Sequence, residues 1–209
     1  MDVPGREDIS GVVLAGGRGS RMGGVDKGLQ LLHGVPLARL ALQRLAPQVG
    51  PLLLSANRHL DQYAAFGVPL VSDARPQDFA GPLAGLAAAL RACRTPWLAS
   101  VPCDSPRFPL DLVARLAAAA TAAGAPAAMA SCDEDGIQRP QPAFCLLHAS
   151  LADALADALG AGTRKLGAWL REQRCAIARF DDAAAFANIN HADELLRFEL
   201  PPEGRATAG

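Results

Sequence analysis

The chain has little net charge and only a few scattered cysteines. Its 209 residues carry 20 Lys and Arg against 21 Asp and Glu, a formal net charge of −1, whereas a general nucleic-acid binder normally has a basic excess. The five cysteines are an odd number and include no C-x-x-C pair, which argues against a disulfide framework and a zinc site. These absences favour a protein of a reducing, cytoplasmic compartment that does not bind nucleic acid.

Long hydrophobic runs are also missing, although 50% of the residues are hydrophobic. No apolar stretch approaches the roughly 20 residues that span a bilayer. The N-terminal residues Met1–Asp8 lack the apolar core of a signal peptide. We therefore expect no membrane segment and enough chain for one large α/β domain.

What the chain does have is a basic, glycine-rich segment near its N-terminus. The apolar run Val12–Leu14 is typical of a buried parallel strand, and five glycines follow it before Lys27. Glycines let the backbone turn sharply and present N–H groups to a ligand without steric clash. Three cations lie in the segment, at Arg18, Arg21 and Lys27. Because Asp26 is the only acid among them, the segment is predicted to hold a polyanion such as a nucleoside triphosphate.

Two better-known phosphate loops do not fit this segment. A P-loop requires a lysine directly after its second glycine, but Val25 follows Gly24. A dinucleotide-binding fingerprint requires a third glycine at the position that Met22 occupies. The segment therefore belongs to neither class of site.

Apolar runs alternate with helical patterns along the first part of the chain. This alternation predicts an α/β fold with a mainly parallel sheet and helices on both faces. The predicted strands are Val12–Leu14, Leu52–Leu54, Val68–Val71, Trp97–Val101 and Ala127–Ala130. The predicted helices are Pro36–Ala46, Pro82–Cys93 and Leu110–Ala123.

The remaining part of the chain is less regular. A helix capped by Ser150 is expected there. The other predicted elements are a polar turn at Asp133–Gly136, strands at Ala143–Leu147 and Cys175–Phe180, and helices at Lys165–Gln173 and Ala192–Leu200. We expect one domain over residues 10–200, between a flexible N-terminus (1–9) and a flexible tail (201–209).

Several polar groups are predicted to meet at one edge of the sheet. Ligands of an open parallel sheet bind outside the carboxyl ends of its strands. The glycine-rich segment, Asp73 and Asp104 all follow predicted strands. Carboxylates beside a cationic phosphate loop indicate Mg²⁺, which takes carboxylate and phosphate oxygens together. The alternative is that Asp73 stabilises a turn and Asp104 caps a helix.

Six short blocks carry a resemblance to a known family. They are Leu14–Gly17, Arg21–Gly28, Ser55–Arg58, Gly81–Gly85, Pro102–Asp104 and Asn188–Asn190. The first two contain the nucleotidyltransferase signature L-A-G-G-x-x-x-R-M-G-x-x-K. In this order, over a span from about Ser10 to Phe198, the blocks resemble the molybdenum cofactor guanylyltransferase family.

The resemblance implies a single-domain Rossmann-like nucleotidyltransferase fold, with a GTP-binding N-terminal half and a pterin-binding C-terminal half. The implied reaction is transfer of GMP from GTP to the terminal phosphate of molybdopterin, by in-line attack on the α-phosphorus. A phosphomonoester has a second pKa of about 6 and is largely ionised near neutral pH. No general base is therefore required, in agreement with the lack of an evident Ser–His–Asp or Cys–His arrangement.

The resemblance also assigns residues to the nucleotide side of the reaction. Lys27, Arg21 and Asp104 are implied to be catalytic, with Mg²⁺ as cofactor and Mn²⁺ able to substitute. Asp104 is the implied metal ligand, and Asn190 a further one. The implied nucleotide-binding residues are Leu14, Ala15, Gly16, Gly17, Lys27, Asn57, Asp73 and Asp104.

The acceptor side is less well defined. The implied pterin-binding residues are Gly81, Gly85, Asn188, Asn190 and Arg164. The two glycines fit close packing at a helix start equally well, and Asn190 also fits a helix cap. Spacing does not decide which cations of this half face the pterin phosphate; they are Arg107, Arg139, Arg164 and Lys165.

Three alternatives stay open at this stage. They are a molybdopterin cytidylyltransferase, a nucleotidyltransferase with another phosphate acceptor, and a non-catalytic nucleotide- or cofactor-binding module. The presence of both Lys27 and Asp104 argues against the last. The implied partners are GTP, molybdopterin, a molybdenum insertase, and a cofactor chaperone or apo-molybdoenzyme.

Overall fold

The computed structural model describes residues 2–15, 26–73 and 81–189. Its strands are β1 (Ile9–Leu14), β2 (Leu31–Leu32), β3 (Val35–Pro36), β4 (Leu52–Ser55), β5 (Leu70–Val71), β6 (Trp97–Pro102), β7 (Ala127–Glu134), β8 (Ile137–His148) and β9 (Ala176–Phe180). Its α-helices are α1 (Leu37–Leu45), α2 (Leu60–Ala64), α3 (Pro82–Ala92), α4 (Leu112–Ala123), α5 (Ala152–Gly160) and α6 (Leu166–Glu172). Short 3-10 helices lie at Arg6–Asp8, Lys27–Leu29, Ala46–Gln48, Ala149–Leu151 and Ala183–Phe186.

Within the described residues, seven strands form one sheet in the order β5-β4-β1-β6-β8-β7-β9, and β2 pairs with β3 separately. β1 lies between β4 and β6 and is parallel to both, so that Val13 is aligned with Leu54 and Val101. In this sheet β8 runs antiparallel to its two neighbours, β6 and β7. The predicted α/β fold with a mainly parallel sheet is confirmed.

Helices cover both faces of the sheet, as the pattern predicts. Val12 and Val13 belong to different hydrophobic clusters, because successive side chains of a strand point to opposite faces. Val13 packs in a cluster that includes Leu45 of α1 and Leu116 of α4. Val12 lies in the cluster that α3, α5 and α6 contribute to, with Leu86 as one member. Burial on both faces explains why β1 reads as a continuous apolar run.

The β7–β8 hairpin departs most from the predicted strands. The two strands are 8 and 12 residues long, well beyond the predicted Ala127–Ala130 and Ala143–Leu147. The predicted polar turn joins them, and Asp135 and Gly136 have φ angles of 54° and 79°. Two successive positive φ values are the geometry of a tight two-residue hairpin turn. Such a short connection requires antiparallel pairing, which is why β8 reverses direction.

Proline residues explain why the sequence pattern did not predict the full length of β8. Pro140 and Pro142 lie inside this strand, and proline normally argues against an inner strand because it lacks an N–H donor. The strand accommodates the irregularity through a register shift opposite Met129 and Ala130. Beyond the shift, β8 pairs with β7 and no longer with β6.

Two smaller expectations also need correction. Ser150 does not cap a helix: its N–H donates to Nδ1 of His148 at 3.3 Å, and α5 begins only at Ala152. The helix α2 and the β2–β3 hairpin were not predicted, because elements this short show no periodicity. The predicted helix at Ala192–Leu200 and the tail (201–209) lie outside the described residues.

Part of the N-terminal segment that we expected to be flexible packs on the domain. Arg6–Asp8 form a 3-10 turn, and Nε of Arg6 donates to the Val49 carbonyl at 2.9 Å. Ile9 already belongs to β1 and is 2% exposed. Ile9 thus lies in the sheet, and the predicted domain bounds at residues 10 and 200 stay a prediction.

None of the helices in the described ranges has the length and apolar character needed to cross a bilayer.

Candidate active site

The carboxyl ends of four parallel strands form the edge where the site was expected. β1, β4, β5 and β6 run in the same direction, so their ends meet on one side. The residues that follow these strands include Ala15, Asn57, Asp73 and Asp104. These residues therefore lie at one edge of the sheet, and their assignment to a binding site stays a prediction.

The start of the glycine-rich segment is bonded to both neighbouring strands. The Leu14 carbonyl accepts the Cys103 N–H at 3.1 Å, and the Ala15 N–H donates to the Ser55 carbonyl at 2.8 Å. These bonds hold the point where the chain leaves the sheet. Three predicted residues of the segment, Gly16, Gly17 and Arg21, lie outside the described residues.

Two of the three residues assigned to catalysis from the sequence, Lys27 and Asp104, are in direct contact. Nζ of Lys27 lies 3.0 Å from Oδ2 of Asp104, and the side chains are only 24% and 17% exposed. They are 77 positions apart in the chain and meet because β1 pairs with β6 in parallel. A hydrogen bond between two charged groups is stronger than a neutral one. The pair leaves a cation and a carboxylate together at the edge of the sheet.

A buried carboxylate organises the turn that carries this lysine. Asp26 is 7% exposed and precedes the 3-10 turn Lys27–Leu29. Its Oδ1 accepts the Gly28 N–H at 3.1 Å and the Tyr63 hydroxyl at 2.5 Å. Sequence reasoning had counted Asp26 only as a charge opposing the cations, and Tyr63 carries no motif signal. Asp26 and Tyr63 together hold the turn that carries Lys27.

Asn57 and Asp73 form a reciprocal pair of hydrogen bonds at the ends of β4 and β5. Nδ2 of Asn57 donates to Oδ2 of Asp73 at 2.8 Å, and the Asp73 N–H donates to Oδ1 of Asn57 at 2.9 Å. Among the described residues, Oδ1 of Asp73 is a buried oxygen with no hydrogen-bond partner. Burial raises the pKa of Asp73, and the bond from Asn57 lowers it in part. This acceptor is available to a donor of a ligand.

The C-terminal block is bonded directly to the segment that follows β6. The Ser105 hydroxyl donates to Oδ1 of Asn188 at 2.5 Å, and the Ile189 N–H donates to the Asp104 carbonyl at 2.7 Å. Ile189 is 1% exposed and packs against Leu32 and Leu37. Asn188 is thus beside the predicted metal ligand, whereas Asn190 lies outside the described residues. Ser105 had not been singled out from the sequence.

The two glycines predicted to face the pterin have different environments. Gly81 precedes α3 with φ 73° and ψ −160°, a conformation that essentially only glycine adopts, and a Cβ there would meet open space. Gly85 lies within α3, and a Cβ there would be 2.6 Å from Oγ of Ser55 and 3.3 Å from Cδ2 of Leu14. Gly85 therefore serves close packing of α3 on the sheet, which was the alternative interpretation.

Two of the four cations considered for the acceptor side, Arg164 and Arg139, make other contacts in this structure. Arg164 is exposed and donates to the carbonyls of Leu159 and Thr163 at 3.4 and 3.0 Å. These bonds attach it to the end of α5. Arg139 lies on β8, 3.5 Å from a carboxylate oxygen of Glu134. The structure therefore does not bring Arg164 into contact with Asn188 or Asp104.

The donor set at this edge fits a Mg²⁺ ion that is shared with a nucleotide. Within the described part of the chain, Oδ2 of Asp104 contacts Nζ of Lys27 at 3.0 Å. In that part, no three His, Cys, Asp or Glu side chains are grouped to hold a metal. Mg²⁺ needs only one or two carboxylates when phosphates and water complete its shell, and Asp104 is a carboxylate that could be one of them.

The fold, together with a lysine and a carboxylate beside a glycine-rich segment, places the chain among the Rossmann-like nucleotidyltransferases. Solved structures share the fold. Molybdopterin-guanine dinucleotide biosynthesis protein A from Archaeoglobus fulgidus superposes with a TM-score of 0.69 at 23% identity, covering 91% of this chain and 96% of that one. For 2-C-methyl-D-erythritol 4-phosphate cytidylyltransferase from Thermus thermophilus the TM-score is 0.65 at 18% identity, covering 90% and 96%.

Sequence comparison identifies the family. The MobA-like NTP transferase domain matches residues 11–177. Molybdenum cofactor guanylyltransferase from Cupriavidus necator is 56% identical over 195 residues, 93% of this chain and 98% of the relative. The protein of the same name from Bordetella pertussis is 53% identical over 194 residues, 93% and 98% of the two chains. The chain belongs to the molybdenum cofactor guanylyltransferase family, whose wider class generally uses a divalent metal ion.

Proposed function

We propose that this chain transfers GMP from GTP to the terminal phosphate of molybdenum-loaded molybdopterin, forming molybdopterin guanine dinucleotide and pyrophosphate. Its relatives of 53–56% identity carry the name molybdenum cofactor guanylyltransferase, which supports the reaction. The observation that carries the location of the site is the contact of Lys27 with Asp104 at the carboxyl edge of the sheet.

The chemistry requires no acid or base from the protein. An oxygen of the acceptor phosphate forms a bond to the α-phosphorus of GTP. The bond from that phosphorus to the oxygen bridging to the β-phosphate breaks, and pyrophosphate leaves with the electron pair. The acceptor is already ionised near neutral pH, because its second pKa is about 6. Catalysis is therefore a matter of positioning and of stabilising negative charge.

Lys27, Arg21 and Asp104 would supply that stabilisation. Lys27 places a point charge on the triphosphate, and Arg21 offers a planar fork that matches phosphate oxygens. Asp104 would hold Mg²⁺, which would supply positive charge to balance the negative charge that develops as pyrophosphate leaves. In this structure Asp104 and Lys27 form an ion pair at 3.0 Å. We infer that each exchanges this contact for one with the nucleotide or its metal ion.

The Asn57–Asp73 pair would bind the nucleoside part of GTP. The buried Oδ1 of Asp73 has no partner within the described residues, and an unsatisfied buried acceptor is costly. A guanine N–H or a ribose hydroxyl is a donor that would satisfy it. Main-chain groups of Leu14, Ala15, Gly16 and Gly17 are proposed to complete this part of the site.

Asn188 would contribute to the acceptor side. Because the Ser105 hydroxyl engages its Oδ1, the amide Nδ2 is left to donate to an anion such as the pterin phosphate. Gly81, Asn190 and Arg164 stay proposals for the same side. We further propose that the chain works in the cytoplasm, that it receives its acceptor from a molybdenum insertase, and that it passes the product to a chaperone or apo-molybdoenzyme.

Pyrophosphate release tests the proposal most directly. The protein is mixed with Mg²⁺ and molybdenum-loaded molybdopterin, and GTP is compared with CTP in parallel. Release with GTP together with a guanine dinucleotide product is the expected result, and Asp104→Ala should abolish it. Release with CTP alone would replace the proposal by a cytidylyltransferase. No release with either nucleotide from folded protein and active acceptor would exclude transfer to molybdopterin.

A further inference from the structure

The chain contains a single tyrosine, and its hydroxyl contacts the residue that precedes Lys27. Tyr63 belongs to α2 and is 0% exposed. Its hydroxyl donates to Oδ1 of Asp26 at 2.5 Å, across 37 positions of the chain. Burial is the larger cause, and this hydrogen bond the next, of a pKa of Tyr63 that lies well above its ordinary value. The phenol is therefore a permanent donor to a buried carboxylate.

The same carboxylate oxygen fixes the backbone on the far side of Lys27. Oδ1 of Asp26 also accepts the Gly28 N–H at 3.1 Å, so the residues on both sides of Lys27 are tied to one atom. Gly28 has no room for a side chain, because a Cβ there would overlap the Tyr63 hydroxyl oxygen. The turn therefore rests on the tyrosine through a hydrogen bond and through direct contact.

We propose that Tyr63 is a positioning residue for Lys27, acting through Asp26. Its hydroxyl holds the Asp26 carboxylate in the orientation that closes the Lys27–Leu29 turn. This turn sets the direction in which the Lys27 side chain extends toward Asp104 and the phosphates. A site that must place a charge within about half an ångström depends on supports of this kind. The inference rests on the proposed role of Lys27.

Packing alone does not explain why position 63 carries a tyrosine and not a phenylalanine. A phenylalanine would fill nearly the same volume, and its ring could keep the edge contact that Tyr63 makes with Phe66, with ring centroids 5.6 Å apart. Only the hydroxyl supplies the second hydrogen bond to Oδ1 of Asp26. Tyr63→Phe therefore removes the proposed positioning contact while leaving most of the packing in place.

A double-mutant cycle tests the inference. Tyr63→Phe, Lys27→Ala and the double variant are assayed by single-turnover pyrophosphate release, so that low activities stay measurable. We expect Tyr63→Phe to lower kcat/KM about tenfold in the wild-type background, as for loss of one hydrogen bond to a charged group. In the Lys27→Ala background its effect should be within about twofold, because no lysine is left to position.

Thermal unfolding of the same four proteins separates positioning from stability. A purely structural role predicts that Tyr63→Phe lowers Tm and kcat/KM alike in both backgrounds, and this result would overturn the inference. So would an unchanged kcat/KM for Tyr63→Phe alone. If Lys27→Ala keeps wild-type turnover, the assignment of Lys27 in the proposed function fails instead.

Ser10→Ala serves as the matched control. Ser10 is 2% exposed, and its hydroxyl bonds to Oγ1 of Thr95 at 2.8 Å near the start of β1, at the opposite edge of the sheet. Losing this buried hydroxyl should lower Tm without changing kcat/KM. If Tyr63→Phe proves too unstable to assay, Asp26→Ala in the same cycle tests the same contact, with the same expected loss of effect in the Lys27→Ala background.

Discussion

Replacing Gly28 by alanine perturbs the packing of the turn that carries Lys27. Gly28 is buried inside the Lys27–Leu29 turn. A Cβ at this position would overlap the Tyr63 hydroxyl oxygen and would lie 3.2 Å from Cβ of Ala38 and 3.3 Å from Cβ of Ala15. None of these neighbours is the end of a flexible side chain, since the tyrosine ring is fully buried and a methyl group moves only with its backbone. The added methyl group must displace its surroundings.

The expected cost follows from two contributions. Inserting a methyl group into a well-packed core costs about 1–3 kcal/mol. Displacing the Tyr63 hydroxyl also weakens its bond to Asp26, and a hydrogen bond to a charged group contributes about 1.5–3 kcal/mol. We expect the free energy of unfolding to fall by about 3–5 kcal/mol. At about 2–4 °C per kcal/mol for a chain of this size, Tm should fall by roughly 6–20 °C.

Thermal and denaturant unfolding measure this loss, with Gly160→Ala as the matched control. Gly160 is the last residue of α5, and a Cβ there would meet nothing within 4 Å. The same chemical change should therefore stabilise by up to about 1 kcal/mol at that position. In a Tyr63→Phe background the overlapping oxygen is gone, so Gly28→Ala should cost less. Wild-type stability of Gly28→Ala would refute this account of the turn.

Three further predictions concern the ionisable groups of the site. Asp104→Ala should abolish transfer with little change in Tm, and Lys27→Ala should lower kcat/KM by at least about 100-fold; wild-type pyrophosphate release from either would contradict the assignment. Burial and the bond to Asp26 raise the pKa of Tyr63, so its contribution to stability is complete below about pH 10, where an unfolded phenol ionises, and declines above it. Alkaline titration of the tyrosinate absorbance should show no ionisation in the folded protein near pH 10, and a signal there would disprove it. Burial also raises the pKa of Asp73 above its ordinary value of 3.8, so the stability tied to this group is greatest below that pH and is lost as the pH rises through the folded value. Asp73→Asn should therefore raise Tm at pH 7 while it raises KM for GTP about tenfold; a lower Tm would contradict this.

Short-range patterns predicted most of the fold. The strand β1 and its neighbours could be predicted because buried parallel strands are continuous apolar runs. The helices α1, α3 and α4 could be predicted because they carry helical patterns bounded by proline or glycine. The β7–β8 hairpin could be predicted only in part. Its Asp-Gly turn is a local signal, whereas the length of β8 depends on pairing with β7 and tolerates prolines that a local pattern rejects.

The candidate site divides in the same way. Lys27, Asp73 and Asp104 were identified because each belongs to a short block or follows a strand end. The role of Gly85 could not be decided from the sequence, since a glycine block does not show whether it faces a ligand or a sheet. A surface arginine likewise carries no signal that separates a ligand contact from a bond to a helix end.

The sequence by itself determined the α/β architecture, the edge of the sheet where the site is predicted, and the blocks that place the chain in its family. These features depend on residues close together in the chain, where composition and spacing act directly. Only the tertiary structure decided that Lys27 meets Asp104 across 77 positions, that Ser105 holds Asn188 across 83, and that Tyr63 supports Asp26 across 37. Such contacts depend on strand order and on helix packing, because segments far apart in the chain become neighbours only when the sheet has formed.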